Sequence, residues 1–256
     1  MPIDPQSGVH YELHGQGRPL MICLPLMASQ AEIFGPESLD MLRGYLSQLT
    51  DRYRVLLLDY PSIGRSRDIS PGDLTADRVS ADLLSVADSA GLSRFSYWGY
   101  SWGGAVGLQL ASRTDRLDAL VIGGWPPLGA PYAAILRATL AKMANPEPGS
   151  LVVLRSPAQY AQWSHYYASM QGWDEAKAVA GLRLPRLVYV GAEGDLVEAG
   201  ESIPIASLVR QHRGELEAQG WRVMELPGQG HAVAMRPELV VPPVRSFLDA
   251  ALPGPG

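Results

Sequence analysis

One stretch constrains this chain more than any other. In residues 95–108, FSYWGYSWGGAVGL, a short apolar run meets Gly99-Tyr100-Ser101-Trp102-Gly103 and passes directly into small residues suited to a helix. The pattern predicts a strand that delivers a serine to a sharp turn at the start of a helix. Gly99 and Gly103 fall where a Cβ would collide with the opposing backbone. Such a turn holds the serine in a strained conformation and exposes its hydroxyl. It also points the positive end of the following helix at the place where negative charge would develop during attack. Ser101 is therefore a candidate nucleophile, and the Trp102 N–H a candidate oxyanion donor.

The surrounding pattern alternates strand and helix. Residues 9–13 and 20–24 read as two strands joined by a tight turn at His14-Gly15-Gln16-Gly17, an apparent hairpin. Residues 36–49 place Leu39, Leu42, Leu46 and Leu49 on one helical face. The run 55–58 ends at Asp59 and is apolar without alternation, as in a strand buried on both faces of a parallel sheet. A helix follows over 75–90, with Thr75 as N-cap and Gly91 closing it. Past the Ser101 helix, 117–122 is another buried strand. Strands at 187–190 and 222–226, with helices at 202–218 and 237–250, complete an α/β order that implies a mostly parallel central sheet with flanking helices. The tail LPGPG is expected to fray.

Between residues 125 and 184 the rhythm breaks. Prolines come first, then aromatic residues at helical spacing, over a length too great for a plain connection. This segment is expected to be a helical cap inserted over the sheet's C-terminal edge, with 1–124 and 185–256 forming the core. Its Trp125, Tyr132, Trp163, Tyr166 and Tyr167 are expected to contribute to an apolar, aromatic substrate pocket, although a cap also needs an apolar face of its own.

A serine hydroxyl needs a base, and the base needs a carboxylate to fix its tautomer. In open α/β sheets such groups gather at the C-terminal ends of strands. Asp195 lies just past the strand at 187–190 and His231 just past that at 222–226, giving the chain order Ser, Asp, His. Glu193 and Glu198 stand in the same loop as Asp195 and compete for its role.

Composition removes several partners. With 21 Lys and Arg against 26 Asp and Glu, the net charge is −5, and no basic footprint exists for nucleic acid or anionic lipid. The one cysteine, Cys23, rules out an internal disulfide and sits in an apolar run as a small hydrophobe. The histidines show no metal-ligand spacing, so neither metal nor cofactor is expected. No leader-like or membrane-length apolar stretch stands out, and the expected location is cytoplasmic.

The motifs GYSWGG around Ser101, GAEGD before Asp195, GQGH at His231 and DYPSIGRS after the strand ending at Asp59 resemble those of the α/β-hydrolase fold superfamily, over nearly all the chain outside the cap. The resemblance implies Ser101 as nucleophile, Asp195 as orienting acid, His231 as base, and the Leu26 N–H as second oxyanion donor beside Trp102. Two positions depart from the family pattern. Leu24-Pro25 stands where His-Gly is usual, and Ser62 replaces a common glycine in a turn that supports the site wall. The implied reaction is hydrolysis of a carboxylic ester or lactone with an apolar or aromatic moiety, through an acyl-enzyme on Ser101. Thioester or carbon–carbon hydrolysis, acyl transfer, a lyase step, and ligand binding without catalysis are the alternatives.

Overall fold

The structure, a computed structural model, describes residues 2–146 and 148–252. Residues 253–256 of the tail lie outside the described residues. In chain order the first half contains β1 (Tyr11–His14), β2 (Arg18–Cys23), α1 (Ser29–Phe34), α2 (Pro36–Leu49), β3 (Tyr53–Leu58), α3 (Ala76–Ser89), β4 (Phe95–Tyr100), α4 (Trp102–Ala111) and β5 (Leu117–Gly123). Four helices follow: α5 (Tyr132–Met143), α6 (Pro148–Val153), α7 (Ala161–Ser169) and α8 (Glu175–Gly181). The chain then returns to the sheet with β6 (Arg186–Glu193), adds β7 (Leu196–Glu198) and β8 (Glu201–Ile203), and closes with α9 (Ile205–Gln211), α10 (Arg213–Ala218), β9 (Trp221–Gly230) and α11 (Pro237–Ala251).

Seven strands form one sheet in the order β1-β3-β2-β4-β5-β6-β9, parallel throughout except for β1. Alternate residues of β4 supply the two cores. Phe95 and Tyr97 join the cluster that includes α3 and α4, while Trp98 and Tyr100 join the one that includes α2 and α11. That alternation, buried on both faces, is why β4 reads as a continuous apolar run.

The expected hairpin of the first two strands does not form. β1 pairs antiparallel with β3, and β3 lies between β1 and β2. The glycine turn passes beneath the start of β3 instead. A Cβ on Gly15 would stand 2.7 Å from the Tyr53 carbonyl, and one on Gly17 2.3 Å from that of Arg52. The chain thus emerges on the far side of β3, where a tight hairpin could not have taken it.

Residues 202–218 are not one helix either. Glu201–Ile203 pairs with Leu196–Glu198 as an antiparallel ribbon, closed by Ala199 and Gly200 at φ 48° and 82°. Pro204 then starts α9, and His212 separates it from α10. Two positive-φ residues in succession are the geometry of a tight hairpin turn, which Glu-Ala-Gly-Glu signals only weakly.

Among the four helices between β5 and β6, a carboxylate ties α8 to the start of α5. Glu175 accepts hydrogen bonds from the Gly129 and Ala130 N–H groups and from the Tyr132 hydroxyl, at 2.6, 3.3 and 2.9 Å. Burial outweighs these bonds and pushes its pKa up from 4.5 to about 7. The unfolded chain therefore releases this proton first as pH rises, so stability falls between about pH 4.5 and 7 and levels off above. Glu175→Gln removes that limb. The difference in melting temperature between wild type and variant should decline across this window and be flat above about pH 8, as thermal denaturation at a series of pH values would show.

Candidate active site

The turn at the end of β4 has the predicted form. Ser101 has φ 54° and ψ −121°, a conformation that L residues rarely adopt and that the surrounding structure must enforce. Its N–H donates to the Gly123 carbonyl at 2.8 Å, and its own carbonyl accepts from the Gly104 N–H at 2.8 Å as α4 begins. The close approaches explain the glycines. A Cβ on Gly99 would lie 2.1 Å from the Gly103 carbonyl oxygen, and one on Gly103 2.1 Å from that of Cys23. The Tyr97 hydroxyl donates to the same Gly103 carbonyl at 2.7 Å, fixing α4 against the sheet.

His231 stands where β9 ends and a short 3₁₀ turn, His231–Met235, begins. Its Nε2 lies 3.0 Å from Ser101 Oγ. The Tyr100 hydroxyl donates to the His231 carbonyl at 2.6 Å, so the residue before Ser101 positions the histidine backbone. Burial lowers the imidazole pKa below its ordinary value, opposed by the nearby Glu198 carboxylate. A neutral imidazole accepting at Nε2 carries its proton on Nδ1, and Nδ1 is buried with no hydrogen-bond partner among the described residues.

The structure does not bring Asp195 to His231. Its carboxylate accepts the Ser207 N–H at 3.0 Å and the Ser207 hydroxyl. The physical reason lies at the start of α9, where Pro204 offers no side-chain cap. The free N–H groups of that first turn and their positive end attract the carboxylate. Glu198, in the same loop, accepts from Lys142 Nζ of α5 at 2.8 Å.

Ser101 and His231 open onto a cavity of about 490 Å³, which Leu26 and Trp102 also line. Leu26 has φ 61°, a left-handed conformation in the loop after β2 that follows directly on Pro25. Of the five aromatic residues expected in the pocket, only Trp163 lines it. Trp125, Tyr166 and Tyr167 are buried, and Trp125 stacks on Tyr167 at 17° with ring centroids 6.4 Å apart and packs against Tyr132. These rings seal the inserted helices to α4, as a Cβ on Gly104 only 2.8 Å from that of Trp125 illustrates. Tyr166 instead backs the pocket wall by packing edge-on against Trp102, with centroids 5.0 Å apart.

The remaining walls come from segments that sequence pattern did not single out as pocket. Phe34 from α1, Val153 from α6 and Met235 from the 3₁₀ turn are apolar, and Gln30 and Ser150 add polar groups. Tyr60 and Ile63 come from the DYPSIGRS turn. Ser62 lies between them at φ 60° and accepts the Ile69 N–H at 3.0 Å, which holds the turn in shape without glycine. Among the described residues, no group of three His, Cys, Asp or Glu is placed to hold a metal ion, and no helix is long and apolar enough to cross a membrane.

A serine at a strand-to-helix turn, with a histidine from the last strand against its hydroxyl, defines the class of site. The chain has the α/β-hydrolase fold: a family model described as alpha/beta hydrolase fold matches residues 35–145, and solved structures of the fold superpose over almost the whole chain. The enol-lactonase from Burkholderia xenovorans LB400 has a TM-score of 0.68 at 20% identity, covering 94% of this chain and 96% of that one. A thermophilic esterase from Thermogutta terrifontis has a TM-score of 0.69 at 20% identity, covering 95% and 93%. Among sequence relatives, a protein provisionally named carbamate hydrolase RutD in Caulobacter segnis is 32% identical over 125 residues, or 46% of this chain and 44% of the relative. One of the same name in Stutzerimonas stutzeri is 29% identical over 175 residues, or 67% and 64%. The chain thus spans less than half the length of the first relative and just under two thirds of the second.

Proposed function

We propose that this protein is a serine hydrolase that cleaves a small carboxylic ester or lactone with an apolar moiety through an acyl-enzyme on Ser101. The observation that carries this reading is the 3.0 Å approach of His231 Nε2 to Ser101 Oγ at the mouth of a mostly apolar cavity. Ser101 attacks the carbonyl carbon as His231 takes its proton, and the Trp102 and Leu26 N–H groups receive the developing oxyanion. His231 returns the proton to the leaving group, then activates water to release the acid. The lowered imidazole pKa keeps the base unprotonated around neutrality. Apolar walls with few charged groups suit an uncharged acyl or alcohol portion.

The lactonase and esterase among the structural neighbours support the ester or lactone class, and the RutD relatives bring in a carbamate, which offers the same carbonyl to the same serine. A fluorophosphonate probe with intact-mass analysis tests the nucleophile. One adduct, absent in Ser101→Ala, is expected, and a wild type left unmodified defeats the reading. Short-chain p-nitrophenyl esters, γ- and δ-lactones and an aryl carbamate, assayed side by side, then rank the substrate classes. Esters or lactones are expected to give the highest kcat/KM, and a carbamate in first place would reassign the class.

A further inference from the structure

The cavity is mostly apolar, and its few polar side chains are nearly all committed. No Asp, Glu, Lys or Arg is among its lining residues. Of its hydroxyl and amide side chains, Ser101 faces His231 Nε2 at 3.0 Å, the Tyr100 hydroxyl donates to the His231 carbonyl at 2.6 Å, and the Tyr60 hydroxyl lies 3.4 Å from that of Tyr97. Gln30 and Ser150 remain. They stand on α1 and α6, two helices that pack on each other. Each shares the wall with an apolar residue one turn further along its own helix, Phe34 beyond Gln30 and Val153 beyond Ser150. The seam of α1 and α6 thus brings a polar pair into an otherwise apolar wall.

The Gln30 amide has a preferred orientation. Its Nε2 lies 3.5 Å from Oδ1 of Asp59, a fully buried carboxylate. Asp59 is itself fixed through its other oxygen, which accepts from the Ser29 hydroxyl at 2.5 Å and the Arg65 N–H at 3.1 Å and lies 2.9 Å from His10 Nδ1. A carboxylate accepts hydrogen bonds and donates none, so it turns the amide nitrogen towards itself and the amide oxygen away. At 3.5 Å the contact is long for a hydrogen bond, and its effect is on orientation more than strength. Oε1 of Gln30 is left as an acceptor that Asp59 cannot satisfy, on a residue that lines the cavity. A ligand that excludes water from such an acceptor without supplying a donor pays for the lost bond, and one that supplies the donor does not.

Resting on the serine-hydrolase reading, we infer that the substrate of this protein carries a hydroxyl on its apolar portion, away from the scissile carbonyl, and that Gln30 Oε1 accepts the hydrogen bond of that hydroxyl. The substrate class narrows to hydroxylated esters or lactones. A hydroxyl suits the seam because it accepts as well as donates, and the half-buried Ser150 brings a donor to the adjoining wall. Gln30 determines specificity at a distance from the reacting atoms, and Asp59 is a positioning residue that acts only through the Gln30 amide.

The test compares kcat/KM for p-nitrophenyl esters of phenylacetic and phenylpropanoic acids, each unsubstituted, with a meta or para hydroxyl, or with a methoxy group at the same place. Within a series the ratios report contacts made by the ring substituent. Wild type should prefer at least one hydroxyphenyl ester to both its phenyl and its methoxyphenyl counterpart by ~10-fold or more, because the methoxy group cannot donate. In Gln30→Met and in Gln30→Ala that preference should shrink to ~2-fold or less, whatever the absolute rates. A preference that survives in either variant overturns the assignment to Gln30. A wild type that hydrolyses all of the esters alike, or takes the methoxy ester as readily as the hydroxy ester, overturns the inference while the hydrolase reading stands, and this comparison needs no variant to fold. A wild type that hydrolyses none of them and takes up no fluorophosphonate overturns the hydrolase reading itself.

Discussion

Ser101→Ala should retain the fold and lose about 10⁴- to 10⁶-fold in hydrolysis of any ester the wild type accepts, with little change in substrate affinity. In the proposed mechanism the loss is large because the serine and histidine act as a unit. Without Oγ, the proton that His231 Nε2 faces at 3.0 Å no longer exists, and neither the Trp102 nor the Leu26 N–H has an oxyanion to stabilise. Alanine leaves the backbone at φ 54° as strained as before. Ser101→Gly should be equally inactive yet more stable than wild type by about 1 kcal/mol, because glycine adopts that conformation without steric cost. Comparing the melting temperatures and ester kinetics of the two variants separates the chemistry from the strain. Residual activity within tenfold of wild type in either variant would mean that another nucleophile operates.

Gly103→Ala should have the largest effect on stability, a loss of ~3 kcal/mol or more. The added methyl would stand 2.1 Å from the Cys23 carbonyl oxygen, a backbone atom at the end of β2. No rotamer relieves that overlap. Either α4 withdraws from the sheet or β2 shifts, and both movements displace Ser101 relative to Leu26 and His231. The expected outcome is a fall in melting temperature of roughly 6–12 °C together with a loss of labelling at Ser101. Gly149→Ala, on α6 in the cavity wall, has nothing within 4 Å of the new methyl. Its melting temperature should stay within a few degrees of wild type, so a comparable fall there would show that crowding is not the cause.

The parts of the fold legible in the sequence are those fixed by local pattern. The apolar run, the two glycines and the serine of β4 and α4 specify their own turn because each glycine answers a contact within the same strand–turn–helix unit or with the adjacent strand. Thr75 marks the start of α3, and the structure shows its hydroxyl accepting the Arg78 N–H. The β1–β2 hairpin misled because a glycine turn between two apolar runs carries no information about which strand will fill the space between them. The helix expected at 202–218 misled for a related reason: the ribbon is stabilised by Arg137 and Lys142, more than fifty residues earlier in the chain.

Within the site, the glycine-flanked turn marked Ser101 and the place after the last strand marked His231, and the fold carries the two side chains across 130 positions to within hydrogen-bonding distance. In the sequence, three acids of one loop compete for the place beside the base. Sequence spacing favours Asp195, whereas the exposed first turn of α9 draws it away. The aromatic residues of the inserted segment were equally ambiguous. A ring that lines a pocket and a ring that seals a helix to the sheet look the same in a sequence, and the packing of Trp125 on Tyr167 gives most of them the second role.

Residues 95–108 by themselves determined that this chain would present a serine at a strained turn, because steric exclusion by a Cβ acts over a few ångströms and leaves its mark in glycine placement. Tertiary structure alone decided where the acids of the 193–201 loop point and which side chains face the cavity. Those choices depend on competition among charges and rings contributed by α5, α7 and α9, and the outcome of such a competition is settled only when all of the competitors are brought together.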